Sequence, residues 1–185
     1  MKRCSWVNLK NPIYVEYHDK EWGKPLHDDK QLYELLILES FQAGLSWECI
    51  LNKRENFRKA YDNFDVEKVA KYEEDKTKEL LENTGIIRNK LKIYASINNS
   101  QIFLAIQKEF GSFDKYIWSF TNGKIIDEPF DIRTFSPLSD EISKDLKKRG
   151  MKFVGTTIIY SYLQAIGILN AHEKECICNS NKKIR

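Results

Sequence analysis

Residues 139–169 read SDEISKDLKKRGMKFVGTTIIYSYLQAIGIL, and they indicate which fold class to expect. Ser139 can cap a helix whose first turn is acidic and whose last turn is basic, and Gly150 follows that turn. This charge order suits the helix dipole, and a glycine commonly follows a helix end. A second helix, from about Thr156 to Leu169, is apolar on nearly all sides and is therefore expected at the centre of the core.

Helical patterns continue over most of the chain. After a possible cap at Asp28, apolar residues recur at helical spacing from Leu32 to Phe41. Shorter helical patterns cover 47–53 (capped by Ser46), 55–64, 66–71, 76–83 and 114–120, and a long one covers 88–109. Residues 121–137 contain glycine and prolines and predict a long surface connection. Because strand patterns are few, we expect an all-α fold.

The bulk properties limit the class of protein. A chain of 185 residues is long enough for one core or for two small lobes that share an interface. No apolar stretch is long enough to span a membrane, and the N-terminal residues do not form a signal peptide. We therefore expect a cytoplasmic protein with reduced thiols, and its net charge of +3 permits local nucleic-acid binding. The polar tail 179–185 is expected to fray.

Four residues near the two chain ends are candidate metal ligands. His172 and Cys176 form an H-x-x-x-C pair, a spacing that suits one helix face or a helix end. Cys4 and His18 lie close together near the start of the chain. Two cysteines and two histidines suit tetrahedral zinc in a structural role. Spacing alone leaves open an alternative with buried thiols and surface histidines.

One acidic residue and several aromatic residues suggest a binding pocket. Glu39 lies inside an apolar helical run, where a carboxylate is costly unless it is paired, although helical geometry can also turn it toward solvent. Flat rings near a carboxylate would suit a planar, electron-poor ligand such as a nucleobase. The candidate rings are Trp6, Tyr14, Tyr17, Trp22 and Trp47. They could equally be ordinary core residues.

Two basic segments are candidates for phosphate binding. Residues 80–90 read as helix, glycine turn and helix, and backbone amides in such a hairpin can hold a phosphate. A plain helical hairpin predicts the same pattern. Residues 147–157 hold a group of cations that includes Lys147 and Arg149, which suits backbone phosphates but also an ordinary solvated helix end. No Walker loop or dinucleotide fingerprint is found.

Several blocks of sequence, in order from Cys4 to Cys176, carry a family resemblance. They are Arg3-Cys4-x-Trp6, Tyr14-x-x-Tyr17-His18-Asp19-x-Glu21-Trp22-Gly23, Leu38-Glu39-x-x-Gln42-Ala43-Gly44-Leu45-Ser46-Trp47, Lys53-Arg54-Glu55-Asn56-Phe57-Arg58, Gly85-Ile86-Ile87-Arg88, Trp118-Ser119-Phe120, Leu146-Lys147-Lys148-Arg149-Gly150-x-Lys152-Phe153-Val154-Gly155-Thr156-Thr157 and Gln164-Ala165-x-Gly167. Together they resemble the bacterial 3-methyladenine DNA glycosylase I family of the helix-hairpin-helix superfamily. These are alkylation-repair enzymes.

The resemblance implies an architecture and a structural metal. It implies a helix-hairpin-helix glycosylase fold, with two helical lobes forming a single domain over residues 1–178. The structural zinc of the family maps onto Cys4, His18, His172 and Cys176, so the ion would join the N- and C-terminal segments. Cys178 is a spare thiol close to these ligands. The chain has Ala171 where the family usually has aspartate, which predicts weaker retention of zinc.

The resemblance also implies roles for the candidate site residues. Glu39 corresponds to the carboxylate that recognises the flipped base, with Tyr17 beside it and Trp47 as the stacking wall. Tyr14, Trp22 and Trp6 complete the aromatic lining. The DNA-anchoring hairpin falls on Thr84, Gly85, Ile86 and Arg88.

The implied reaction is hydrolysis of the glycosidic bond of 3-methyladenine in double-stranded DNA. We expect a monomer that needs no organic cofactor and leaves an abasic site without cutting the strand. No aspartate that would assist the sugar can be assigned, and neither Asp127 nor Asp131 is favoured. Two other classes remain open. One is a zinc-containing base- or nucleic-acid-binding module without catalysis, and the other is a different sugar hydrolase, which would need a spaced carboxylate pair.

Overall fold

The computed structural model describes residues 2–128 and 133–179, and in them the chain is mostly helical, as predicted. The helices are α1 (Pro12–Lys20), α2 (Asp29–Gln42), α3 (Trp47–Asn52), α4 (Arg54–Ala60), α5 (Val66–Val69), α6 (Glu74–Glu82), α7 (Lys90–Phe110), α8 (Phe113–Ser119), α9 (Pro137–Lys148) and α10 (Thr156–Ala165). A 3-10 turn, Asp62–Phe64, follows α4, and two short strands, β1 (Ile126–Asp127) and β2 (Leu169–Asn170), complete the described elements.

Helix α10 is central to the core, in agreement with its apolar sequence. It packs against α9 on one side and α2 on the other, while α7 packs against α2, α5, α6 and α8. Ile159, Tyr162 and Leu163 on α10 are fully buried. The buried apolar side chains form one contiguous core that extends from Cys4 to Cys176, so both ends of the described chain contribute to it.

Helix α9 begins three residues earlier than the sequence pattern predicts. Ser136, not Ser139, is the N-cap, and its side chain accepts a hydrogen bond from the Ser139 amide. The Ser136 amide in turn donates to the Ser139 hydroxyl group, which completes a capping box. Pro137 occupies the first helical position, where its missing N–H is not needed. The predicted cap at Ser46 is confirmed, because its side chain accepts from the Cys49 amide.

Helix α1 was not predicted, although its start signal is present in the sequence. The Asn11 side chain accepts hydrogen bonds from the amides of Ile13 and Tyr14, and Pro12 is the first helical residue. Helix α10, in contrast, ends at Ala165 and not at Leu169. The chain turns at Gly167 (φ +75°), where an added Cβ would lie 2.3 Å from the carbonyl carbon of Lys24. Only glycine fits this position.

The two short strands correct the prediction of a purely α fold. They pair in parallel, with Ile126 opposite Leu169 and Asp127 opposite Asn170. The Asn170 side chain also donates to Asp127 over 2.7 Å. Ile126 and Asp127, within the predicted surface connection, therefore lie along the segment that leaves α10. A two-residue pairing is too short to produce a period-2 pattern in the sequence. Asp131 lies outside the described residues.

None of the helices in the described ranges combines the length and apolar character needed to cross a membrane. Near the C-terminus, the Asn179 side chain donates to the carbonyls of His172 and Glu173 over 3.1 Å. This residue is thus held against the protein, contrary to the predicted fraying, and 180–185 lie outside the described residues. The division into two lobes stays a prediction.

Candidate functional site

A cavity of about 200 Å³ opens between α1, α2, α3 and α10. All six residues predicted to bind a base line it, namely Trp6, Tyr14, Tyr17, Trp22, Glu39 and Trp47. The other lining residues are Gln42, Arg133, Tyr160, Ser161, Gln164 and Ala171. Sequence analysis did not assign these to the pocket, although Gln42 and Gln164 lie in the sequence blocks that carry the family resemblance.

Glu39 is buried at the cavity, so the alternative in which it faces solvent is wrong. It lies in the last turns of α2 and is 3% exposed. Its Oε2 atom is buried and has no hydrogen-bond partner. Burial raises the pKa of Glu39 to about 8, so the carboxyl group is mostly protonated at pH 7 in the free protein. A buried, unpartnered carboxyl group is costly for the fold and points to a ligand that completes it.

Trp47 holds the second unpartnered polar atom of the cavity. It is the first residue of α3, directly after the Ser46 cap, and its Nε1 atom is buried without a hydrogen-bond partner. Its ring lies 5.5 Å from the ring of Tyr17, centroid to centroid, at an angle of 48°. The chain reverses between α2 and α3 at Gly44, where φ is +78°. This short reversal brings Glu39 and Trp47 to the same cavity.

The remaining aromatic residues connect the cavity to the candidate metal ligands. The Trp6 ring lies 5.4 Å from Tyr14 and 4.8 Å from Trp22, so the three rings form a continuous wall. On its other side, Trp22 meets the ring of His172 edge-on at 4.7 Å. Trp6 meets the ring of His18 at 5.3 Å. The cavity wall therefore rests directly on the histidines of the candidate metal site.

The four predicted metal ligands are brought together and all are buried. Their ligand atoms lie within 4.8 Å of one another. His172 Nδ1 lies 3.5 Å from the sulfur of both Cys4 and Cys176, and His18 Nε2 lies 3.4 Å from Cys176 Sγ. A tetrahedral zinc ion, with Zn–S about 2.3 Å and Zn–N about 2.05 Å, separates neighbouring S and N atoms by about 3.5 Å. The donor set and its spacing fit zinc.

Each histidine has a second contact besides those with the ligand sulfurs. His18 Nδ1 lies 2.8 Å from a carboxylate oxygen of Asp19, which also accepts two hydrogen bonds from the Arg3 Nε and one from its Nη2. The bonds from Arg3 lower the pKa of Asp19 to about 2. His172 is hydrogen-bonded to the backbone of Trp22, and burial lowers its pKa to about 4. Such contacts are typical of metal-binding histidines.

The thiols are also supported by hydrogen bonds, and they lie in a different local structure from the one expected. The amides of Glu173 and Cys178 donate to Cys4 and Cys176 sulfurs respectively, both over 3.4 Å. His172 lies in an irregular segment after β2, and Cys176 forms an isolated bridge with Lys2, so the H-x-x-x-C pair is not on a helix and the helical placement is corrected. Cys178 Sγ is 3.9 Å from the His18 carbonyl, beside the cluster of four.

Ala171, which replaces the usual family aspartate, lines the cavity and is 2% exposed. The contacts that orient the two ligand histidines come from Asp19 and the Trp22 backbone. Neither contact depends on the side chain at position 171. Weaker retention of zinc stays a prediction, and the contacts described above give no support for it.

The predicted DNA-anchoring segment is the turn between α6 and α7. Ile86 is buried, whereas Thr84 and Arg88 are exposed. The Gly85 amide donates to the Asn83 side chain over 2.9 Å, which closes the turn. The Lys53 ammonium group lies 3.3 Å from the Gly85 carbonyl. These residues do not line the cavity.

The two predicted cationic contacts differ in their surroundings. Lys147 is exposed on the last turn of α9. Arg149 forms ion pairs with Asp145 at 2.7 Å and with Glu109 at 2.6 Å, and its guanidinium group lies 5.3 Å from the Tyr116 ring. Arg149 follows Asp145 at i, i+4 spacing, which places the two side chains next to each other.

Similarity to known proteins extends over almost the whole chain. The family model for methyladenine glycosylases matches residues 6–179. The chain is 44% identical over 187 residues to DNA-3-methyladenine glycosylase 1 of Escherichia coli (strain K12), covering 99% of this chain and 100% of that protein. A crystal structure of 3-methyladenine DNA glycosylase I gives a TM-score of 0.92 at 45% identity, covering 96% of this chain and 100% of the other. A variant of such an enzyme in complex with 3-methyladenine gives 0.92 at 38% identity, covering 97% and 98%.

Proposed function

Because this chain belongs to the methyladenine glycosylase family, we propose that it excises 3-methyladenine from alkylated DNA as a monofunctional N-glycosylase. The observation that carries the proposal is the buried Glu39 Oε2 atom without a partner, in a cavity walled by aromatic rings. A planar base with an exocyclic amine supplies the missing donor, and the rings supply stacking surfaces. No lysine is among the described residues that line the cavity, which supports hydrolysis by water without an imine intermediate.

Methylation at N3 gives the base a positive charge while it is attached to DNA, and this charge weakens the glycosidic bond. The bond between the sugar C1′ and the base nitrogen breaks, and the base leaves with the electron pair as neutral 3-methyladenine. Water adds to C1′ and loses a proton to solvent. The enzyme mainly extrudes the nucleotide and holds the base, because the leaving group is already activated.

The raised pKa of Glu39 provides a physical basis for selectivity. In the free protein at pH 7 the carboxyl group is mostly neutral, since its pKa is about 8. A cationic base beside it favours the ionised form, which then accepts hydrogen bonds from the base edge. Neutral adenine offers no such charge. It is therefore held less strongly, and its glycosidic bond is less reactive.

The aromatic residues have complementary roles in this proposal. Trp47 stacks on the flipped base, and Tyr17 lies beside Glu39. Tyr14, Trp22 and Trp6 form the rest of the lining, and their electron-rich faces attract the positive charge of the base.

Zinc held by Cys4, His18, His172 and Cys176 would have a structural role. With four protein ligands the ion has no open coordination position for water, so it would hold the two ends of the chain together. Since Trp6 and Trp22 pack on the two ligand histidines, the ion would also fix this part of the pocket wall.

The substrate of this proposal is double-stranded DNA, bound by a monomer in the cytoplasm. The residues 83–89 form the turn of a helix-hairpin-helix, in which Thr84 and Arg88 hold phosphates, while the amides of Gly85 and Ile86 already donate to Asn83 within the turn. Lys147 adds a further phosphate contact. Arg149 contributes less, because its donors are already bonded to two carboxylates. Residues 1–178 act as one domain with two lobes.

The direct test is incubation of the protein with methylated duplex DNA, followed by chromatography of the released bases. Free 3-methyladenine and an intact strand that breaks only on alkaline treatment are the expected products. A base-binding module without catalysis would bind 3-methyladenine but release none from DNA. Strand cleavage without alkali would contradict the monofunctional mechanism.

A further inference from the structure

Lys92 is a buried lysine that the proposed reaction does not use. It lies in the first turn of α7 and is 8% exposed. Its ammonium group donates to the carbonyls of Phe41 at 2.8 Å and Ala43 at 2.6 Å. Burial lowers the pKa of Lys92. Burying a cation is costly unless its hydrogen bonds are satisfied, as they are here by the two carbonyls.

The two carbonyls belong to the end of the helix that carries Glu39. Phe41 lies two residues after Glu39, and Ala43 is the C-cap of α2. Carbonyls at a helix C-terminus have no partner within the helix, and a cation there is favourable because of the helix dipole. Lys92 thus supplies both hydrogen bonds and charge at this end of α2.

The residues that follow lead directly to Trp47. The connection 43–46 is short and turns at Gly44, and the Leu45 amide donates to the Gln42 carbonyl over 2.7 Å. Any displacement of the carbonyls of Phe41 and Ala43 is therefore passed on to the start of α3. The separation of Glu39 and Trp47 depends on this connection.

The main chain of Lys92 contacts the end of the proposed DNA-binding turn. Residues 83–89 lead into α7, and the Asn89 side chain caps that helix by accepting from the Lys92 amide over 3.1 Å. The ammonium group of Lys53, at the end of α3, donates to the Gly85 carbonyl in the same turn. Two lysines therefore connect the turn to the elements that carry the pocket residues.

We propose that Lys92 is a positioning residue for base excision, which fixes the end of α2 relative to α3 and couples the turn 83–89 to the pocket. The inference rests on the proposed function. It assigns Lys92 no contact with the base or with phosphate. Its loss should therefore impair the pocket while leaving general affinity for DNA unchanged.

The test compares Lys92→Met with Lys108→Met, which makes the same charge change at the exposed far end of α7. Single-turnover release of 3-methyladenine, affinity for undamaged duplex and calorimetric affinity for free 3-methyladenine are measured where each protein is folded. We expect Lys92→Met to lose about 10- to 100-fold in release rate, as for a misplaced catalytic group. Its affinity for free 3-methyladenine falls as well, and its affinity for undamaged DNA stays within about twofold of the wild type, in contrast to a phosphate contact.

Lys92→Arg keeps the cation and its donors and is expected to restore most of the release rate. If Lys92→Met does not fold, Lys92→Gln, which keeps a donor, is measured in its place. An unchanged release rate in the folded variant, or a loss of DNA affinity as large as the loss in rate, would overturn the inference. Absence of release from the wild type would instead contradict the proposed function. The calorimetric measurement on free 3-methyladenine would still judge the role of Lys92 in that case.

Discussion

The metal-ligand cluster and the base pocket share a wall, but they differ in whether their buried polar atoms have hydrogen-bond partners. In the cluster, His18 has a carboxylate partner on its outer ring nitrogen, His172 contacts the backbone of Trp22, and both ligand thiols accept a backbone amide. In the pocket, Glu39 Oε2 and Trp47 Nε1 are buried without partners. Buried polar groups are normally satisfied, so exceptions mark where a ligand completes the structure. The cluster is thus organised for stability and the pocket for binding.

The largest expected effect concerns the cluster. Cys176→Ser removes one ligand sulfur, and we expect loss of stoichiometric zinc together with a fall in the free energy of unfolding of several kcal/mol, or roughly 10 °C or more in Tm. Metal analysis and thermal melts measure both quantities. Cys178→Ser is the matched control and should retain the metal. Equal loss of metal in the two variants would show that the ligand set is wrong.

A second prediction concerns the cost of the unpartnered carboxyl group. The pKa of Glu39 is raised from 4.5 to about 8 in the folded protein, so folding binds a proton and the stability from this group is lost as the pH rises through this range. Because glutamine cannot ionise, the free energy of unfolding of Glu39→Gln, relative to that of the wild type, should rise by about 3 kcal/mol between pH 5.5 and pH 8.5.

Denaturant unfolding at the two pH values measures this difference. Glu141→Gln, at an exposed carboxylate on α9, is the control and should show no such pH dependence. A stability difference for Glu39→Gln that is independent of pH would mean that Glu39 is ionised and satisfied in the free protein.

A third prediction tests the stacking surface. Trp47→Leu should weaken the affinity for free 3-methyladenine by about 1–3 kcal/mol, because a base loses one aromatic face. Trp47→Phe keeps a flat ring and should recover most of that affinity. Calorimetry gives both values. Equal affinities of the leucine variant and the wild type would exclude Trp47 as the stacking wall.

The smallest expected effect separates two arginines at the proposed DNA surface. Arg88 is exposed and has no hydrogen bond or ion pair among the described residues, whereas Arg149 is bonded to two carboxylates. Arg88→Met should weaken binding to undamaged duplex and reduce the salt slope by about 1. Arg149→Met should lower Tm and leave the salt slope unchanged. If Arg149→Met reduced the salt slope and Arg88→Met only lowered Tm, the roles assigned to the two arginines would be wrong.

The sequence predicted the helical class, and the residues that it assigned to the cluster and to the pocket lie together in the structure, but for different reasons. Local signals such as the Ser46 cap are read directly from the chain. The convergence of Cys4 and His18 with His172 and Cys176 depends on long-range packing, so spacing alone left it open. Only the family resemblance supported the grouping before the structure did.

The features that the sequence did not predict also have physical causes. The end of α10 is set by the close approach of Gly167 to the backbone of Lys24, which no local pattern reveals. The start of α1 carried a signal, Asn11 followed by Pro12, that was missed. The role of Lys92 depends on contacts about fifty residues away in sequence, at Phe41 and Ala43.

The most direct test of this account measures release and metal in the same preparations. Wild type and Glu39→Gln are each given methylated duplex in a single turnover, and zinc content is determined alongside the released 3-methyladenine. We expect equal zinc content in both proteins, and a release rate about 10²- to 10³-fold lower in the variant, as for loss of a transition-state contact. Undiminished release by Glu39→Gln, or release that follows zinc content and not the residue at position 39, would contradict it.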